Sequence, residues 1–150
     1  MAAYEIAACS AKIMAHVSKH WHDCLGVAIT ALFALLAHPI PLWVGGVIAL
    51  GALMNGTLEE VFWRGTVLLD DATPAQQIGQ LGLFTGWHVA LLFATGVVVT
   101  GGAAGVLGGA AIGGALWTLA RVQTGSIGFG AICHVALNLV AFTELATHNL

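Results

Sequence analysis

Charge is what this sequence has least of: Asp, Glu, Lys and Arg together make up 7% of its 150 residues, where a soluble domain carries about 25%. So few charges cannot cover a water-facing surface, and lipid must be the solvent for most of the chain. The formal net charge of -3 is small and scattered. There is no basic stripe for nucleic acid, which is excluded as a partner. Cysteine is also rare, and Cys9, Cys24 and Cys133 show neither CxxC spacing nor an even count. That argues against a disulfide framework or a zinc ribbon and leaves them as small apolar fillers. Proline is confined to Pro39, Pro41 and Pro74, each at a place read below as a helix boundary. The first twenty residues hold Glu5, Lys12 and Lys19 without an uninterrupted apolar core, which argues against a cleaved signal peptide.

What is abundant is apolar: 59% of the residues, with a mean hydropathy of +0.93. The expectation is an all-α, polytopic membrane bundle of about five transmembrane helices plus an N-terminal amphipathic helix, as one integral-membrane domain over residues 1–150. Residues 1–20 form the amphipathic segment, with Glu5, Lys12, His16 and Lys19 at helical intervals. His20, Trp21 and His22 then mark a membrane boundary. The first span follows from Cys24 to Ala37 and closes at His38-Pro39-Ile40-Pro41, because the prolines block its hydrogen bonding. A second helix runs from about Leu42 to Leu69. After Asp70-Asp71, Thr73-Pro74-Ala75-Gln76 reads as a helix start with a capping box. The third helix is expected to continue to about Thr100. Gly101, Gly105, Gly109 and Gly113, with Gly102, Ala110 and Gly114 beside them, predict a tightly packed fourth span. Residues 121–126 form a turn, and the fifth span covers about Ile127 to Ala146.

The polar residues inside these spans stand out, since a charge at membrane depth costs at least about 2.5 to 3.5 kcal/mol. Glu59, Glu60 and Arg64 lie in the second helix, Phe84 and His88 in the third, and His134 and Asn138 in the fifth. Counting about 1.5 Å per residue from the nearest turn puts Glu59, His88 and His134 in one layer, on the order of 12 to 18 Å deep. Glu60 and Arg64 are i,i+4 with the acid N-terminal, the favourable order for an ion pair, while Glu59 is turned about 100° away. Glu60 is therefore the structural acid and Glu59 the one free for chemistry. Placing Lys12 and Lys19 in the cytoplasm puts the Asp70-Asp71 and Arg121 turns on that side too. His16, His20, His22, His38 and His148 fall at ends or turns, where an interfacial role is the default.

Glu59-Glu60-x-x-x-Arg64, Phe84-x-x-x-His88 and His134-x-x-x-Asn138, each on its own hydrophobic helix and in this order, resemble the three motifs of the CPBP family of intramembrane endopeptidases. That family includes the CAAX prenyl endopeptidases and bacteriocin-processing proteins. The likeness spans roughly residues 42–146. In its shortness the chain is similar to compact bacterial members associated with C-terminal sorting tails of exported proteins.

The resemblance implies peptide-bond hydrolysis by water inside the bilayer. Glu59, helped by His88, would bind and deprotonate that water, and His134 and Asn138 would donate to the oxyanion. Glu60 and Arg64 would fix the helix, and Phe84 would pack beside the site. The implied partner is a membrane-anchored protein, through its C-terminal tail or a lipidated C-terminus, in a bacterial inner membrane. No cofactor is expected. The alternatives are a zinc-dependent version with Glu59, His88 and His134 as ligands, a small haem protein with His88 and His134 as axial ligands, or a proton-coupled transporter.

Overall fold

The structure is a computed structural model that describes residues 36–99 and 101–150, together with 26, 29, 30, 32 and 33. The expected amphipathic helix over residues 1–20, the His20-x-His22 pair, Cys9 and Cys24 lie outside the described residues. Within the expected first span, the described positions up to Ala37 are helical, and the helix stops at His38 ahead of the two prolines.

Helix α1 covers Leu42–Glu60 and runs without a break into a π-helical segment, Val61–Val67. Its buried positions are Val44, Ile48, Ala52, Gly56 and Glu60, and Arg64 and Leu68 extend the same spacing of four. An α-helical row at that spacing drifts around the axis by about 40° per step. The wider π turn, closed by i→i+5 bonds such as Leu68 N–H to the Trp63 carbonyl at 3.2 Å, counteracts the drift. Glu60 and Arg64 thereby stay on the face that meets the other helices.

Helix α2 covers Pro74–Trp87 and starts as expected. Thr73 Oγ1 accepts from the Gln76 N–H, Gln76 Oε1 accepts from the Thr73 N–H at 2.8 Å, and Pro74 opens the first turn. It ends earlier than expected. From His88 to Phe93 the chain tightens into a 3₁₀ helix, and residues 94–99 are non-helical. The helix stops where Ala94 turns extended at ψ 106°, and Gly96, at φ +75°, then makes a left-handed turn, a conformation open to glycine at no steric cost. Helix α3 covers Gly102–Thr124 and α4 covers Gly128–Asn149. Gly125, at φ +70°, caps α3 by donating its N–H to the Arg121 carbonyl.

Among the described residues, three helices are long and apolar enough to cross a membrane: Leu42–Val67, Gly102–Thr124 and Gly128–Asn149. The α2 and 3₁₀ unit rises about 33 Å at 1.5 and 2.0 Å per residue, so it too reaches across the bundle. Polarity is inverted relative to a water-soluble fold. The interior holds Glu60, Arg64, Gln80, Thr118, His134, Asn138 and Thr143, while Leu50, Leu53, Ile112, Leu116 and Leu119 face outward. No strand occurs among the described residues, and the architecture is an all-α membrane helical bundle.

The glycine row of α3 packs differently from the expectation. A Cβ on Gly108 or Gly109 would meet nothing within 4 Å, whereas one on Gly114 would fall 2.7 Å from the Phe84 ring. The packed face of α3 is Ala110, Gly113, Gly114, Trp117 and Thr118. A backbone-to-backbone approach is found instead at Gly56, where a Cβ would lie 2.8 Å from the Val135 backbone nitrogen of α4. Gly56→Ala is therefore expected to lower stability by about 1 to 3 kcal/mol, because backbone cannot yield as a side-chain tip does. A fall in the thermal midpoint of the detergent-solubilised protein is the measurement.

Candidate functional site

The three sequence motifs meet where α1, α2, α3 and α4 pack together. Arg64 is fully buried and reaches three helices at once: its Nη1 donates to Glu60 Oε1 at 2.9 Å, its Nη2 donates to the Gly114 carbonyl at 3.0 Å, and its guanidinium carbon lies 4.1 Å from the centre of the Phe84 ring. The Glu60–Arg64 pair read from the i,i+4 spacing is thus present, with neither side chain exposed to solvent. Gly130 makes room for Glu60, since a Cβ there would sit 2.8 Å from Glu60 Oε2.

His134 enters from α4 and stands between the two carboxylates. Its Nδ1 is 3.0 Å from Glu60 Oε1 and its Nε2 is 3.8 Å from Glu59 Oε2. The imidazole is stacked flat on Trp117, with centroids 4.1 Å apart and planes 16° apart. The division between Glu59 and Glu60 is accordingly less complete than the sequence suggests. Glu60 holds both Arg64 and His134, and Glu59 faces the other side of the same imidazole at a distance beyond a hydrogen bond.

His88 is half-buried at the start of the 3₁₀ segment. Its Nδ1 is 2.9 Å from the Phe84 carbonyl oxygen, and its ring is 4.7 Å from the Phe84 ring, centre to centre. A neutral imidazole donating Nδ1–H to that carbonyl has a bare Nε2, which is then an acceptor. Phe84 also touches His134, 6.1 Å between centroids, and so joins the second motif to the third. Asn138 is buried one turn beyond His134 on α4. Its Nδ2 has no hydrogen-bond partner, and the same is true of the buried Oε2 atoms of Glu59 and Glu60. Donors and acceptors left open together in one buried region are the usual mark of a site that receives a polar guest. Among the described residues no group of three or more His, Cys, Asp or Glu is placed to hold a metal ion, so Glu59, His88 and His134 are not gathered as a ligand set.

A family model described as type II CAAX prenyl endopeptidase Rce1-like matches residues 41–140, two thirds of the chain and the whole stretch from Glu59 to Asn138. The chain belongs to this Rce1-like family. No curated protein and no solved structure gives a match. Membership makes the Rce1-like chain a CAAX-type intramembrane endopeptidase, a peptidase of the CPBP group that acts on membrane-anchored protein substrates within the bilayer.

Several residues that build this buried cluster carry no motif. Trp117 supplies the surface under His134, Gly114 the carbonyl for Arg64, and Gly130 the space for Glu60. A single large aromatic among the small residues of that helix, Trp117, was the one visible signal. Trp63 and Cys133 border the buried cluster of Phe84, Ala110 and Trp117, which keeps Cys133 in its expected packing role.

The expectation that the two turns share one side has a structural counterpart. Arg121 pairs with Asp70, and its Nε donates to the Arg64 carbonyl at 3.0 Å. The Asp70-Asp71 turn and the α3–α4 turn are therefore at one end of the bundle.

Proposed function

We propose that this endopeptidase works by a glutamate-activated water, with Glu59 as general base. The observation that carries the reading is the His134 imidazole held between two carboxylates of unequal engagement. Glu60 is occupied by Arg64 and His134, whereas Glu59 is partly exposed, with a side-chain exposure of 15%, and its buried Oε2 is unpartnered. In the proposed reaction Glu59 takes a proton from water as the water oxygen bonds to the scissile carbonyl carbon. The C–N bond then breaks, and the proton passes to the leaving nitrogen. Nε2 of His88 is suited to accept a hydrogen bond from the same water and so to orient it.

The oxyanion is assigned to His134 and Asn138. Asn138 Nδ2 offers donors that nothing else uses. With Nδ1–H of His134 given to Glu60, Nε2 can donate to an oxyanion only as imidazolium, and the flanking carboxylates supply the countercharge. Glu60 and Arg64 position the helix, and Phe84 supports both histidines. The substrate segment proposed is the C-terminal tail of a membrane-anchored protein, in line with the compact bacterial family members of similar motif order, acting in the inner membrane.

No resident metal is proposed, because among the described residues no group of three or more His, Cys, Asp or Glu is placed to hold one. The test is cleavage of a membrane-anchored peptide by purified protein, before and after treatment with a strong chelator. Activity indifferent to chelator is expected. Loss on chelation with recovery on zinc would overturn the metal-free mechanism, and a Soret band in the purified protein would turn the assignment of His88 and His134 to haem.

A further inference from the structure

Hydrolysis inside a bundle whose outer faces are Leu, Ile and Val needs a way for water to arrive. One polar pair that the mechanism does not use lies on the path from the nearest open end. Gln80 on α2 and Thr118 on α3 are both buried, at 3% and 7% exposure, and Thr118 Oγ1 donates to Gln80 Oε1 at 3.2 Å. That single bond leaves Gln80 Nε2 buried without a partner, and Arg64 Nε is in the same condition. Buried amides and guanidinium nitrogens are normally satisfied, by water if not by protein.

The two orphaned donors are neighbours by construction of the fold. Gln80 is one turn before Phe84 on α2, and Thr118 is one turn after Gly114 on α3. Arg64 lies against both Phe84 and Gly114. Its backbone carbonyl is held by Arg121 while its guanidinium ends at Gly114, so the Arg64 stem with Nε crosses the level of Thr118. Polar groups therefore recur at roughly one helical turn, about 5.4 Å. They begin with Asp70 and Arg121 at the open end, where the Asp70 side chain is 85% exposed, and pass through Thr118 and Gln80 to Arg64 Nε and the free oxygens of Glu60 and Glu59. One water bridges a gap of that size between two polar atoms.

We propose that Gln80 and Thr118 are the middle station of a water file that leads from the Asp70–Arg121 end of the bundle to the Glu59 and Glu60 carboxylates. They act as positioning residues for water rather than on the substrate. The need for hydrolytic water rests on the mechanism proposed above, while the file itself rests on the orphaned groups and their spacing.

The experiment is radiolytic hydroxyl-radical labelling of the full chain in detergent micelles, which oxidises buried side chains only beside bound or passing water. Once corrected for the intrinsic hydroxyl-radical reactivity of each residue type, labelling of Phe84 and Trp117, buried next to Arg64, is expected to lie far above that of Ile48, which is similarly buried among apolar groups. Gln80→Leu and the isosteric Thr118→Val should each reduce that labelling and lower kcat about tenfold, the rate equivalent of one lost hydrogen-bonded step, with KM little changed. Thr118→Ser, which keeps the hydroxyl, should retain both. Labelling of Phe84 and Trp117 no stronger than that of Ile48, or unchanged in the folded Thr118→Val protein, would overturn the file. Labelling that depends on Thr118 in a protein without peptidase activity would uphold the file and remove the hydrolytic mechanism instead.

Discussion

Glu59→Gln is expected to lower kcat/KM on a membrane-anchored substrate by about 10²- to 10⁴-fold, the usual contribution of a positioned general base, with the thermal midpoint nearly unchanged. The substitution keeps the shape of the side chain and removes its basicity. It removes little stability because the hydrogen bonds of Arg64 go to Glu60 and Gly114 rather than to Glu59, and His134 Nε2 is 3.8 Å from Glu59, beyond a hydrogen bond. His134→Ala is expected to lose activity to a similar degree and stability as well. That ring is stacked on Trp117 and bonded to Glu60, so its loss also opens a cavity beside a buried carboxylate. The contrast between the two variants is the informative part. A gel-based cleavage assay run beside a thermal melt separates them, and retained cleavage by Glu59→Gln would remove it as the base.

Much of this site was legible because its physics is local. The i,i+4 order of Glu60 and Arg64 fixes an intrahelical pair whatever the other helices do, and the Thr73–Gln76 box is complete within one turn. Depth counting placed the three motifs in one layer because helical rise is constant, and the contacts of Glu59 and Glu60 with His134 agree with it. What depended on a partner helix was not legible. The angle between Glu59 and Glu60 shows which can share Arg64, but it cannot show that His134 would arrive between them and bond the acid already paired. Nor does a row of glycines reveal which of them faces a neighbour: Gly114 meets Phe84 of another helix, Gly113 meets Trp117 of its own, Gly108 and Gly109 meet nothing, and the isolated Gly56 lies against the backbone of Val135. The π turn after Glu60 has no residue signature at all, since i→i+5 closure is imposed by the packing that keeps Glu60, Arg64 and Leu68 on one face.

The same packing makes Arg64 the most consequential structural residue. Arg64→Leu is expected to destabilise the bundle by about 3 to 5 kcal/mol, the range for removing one member of a buried pair, because the remaining carboxylate stays buried without its countercharge. Glu60→Gln should cost less, since the guanidinium keeps the Gly114 carbonyl and the faces of Phe84 and Trp117, 4.1 and 5.6 Å from its carbon. The decisive variant is the double replacement Glu60→Leu with Arg64→Leu. Replacing both charges by apolar groups leaves no uncompensated ion, so the double variant should be more stable than Arg64→Leu alone, although it loses the tie between α1 and α3. Unfolding in mixed micelles with increasing fraction of denaturing detergent gives all three values on one scale. Additive losses would mean that the two side chains act independently, and that Arg64 stabilises the fold through Gly114 and Phe84 rather than through Glu60.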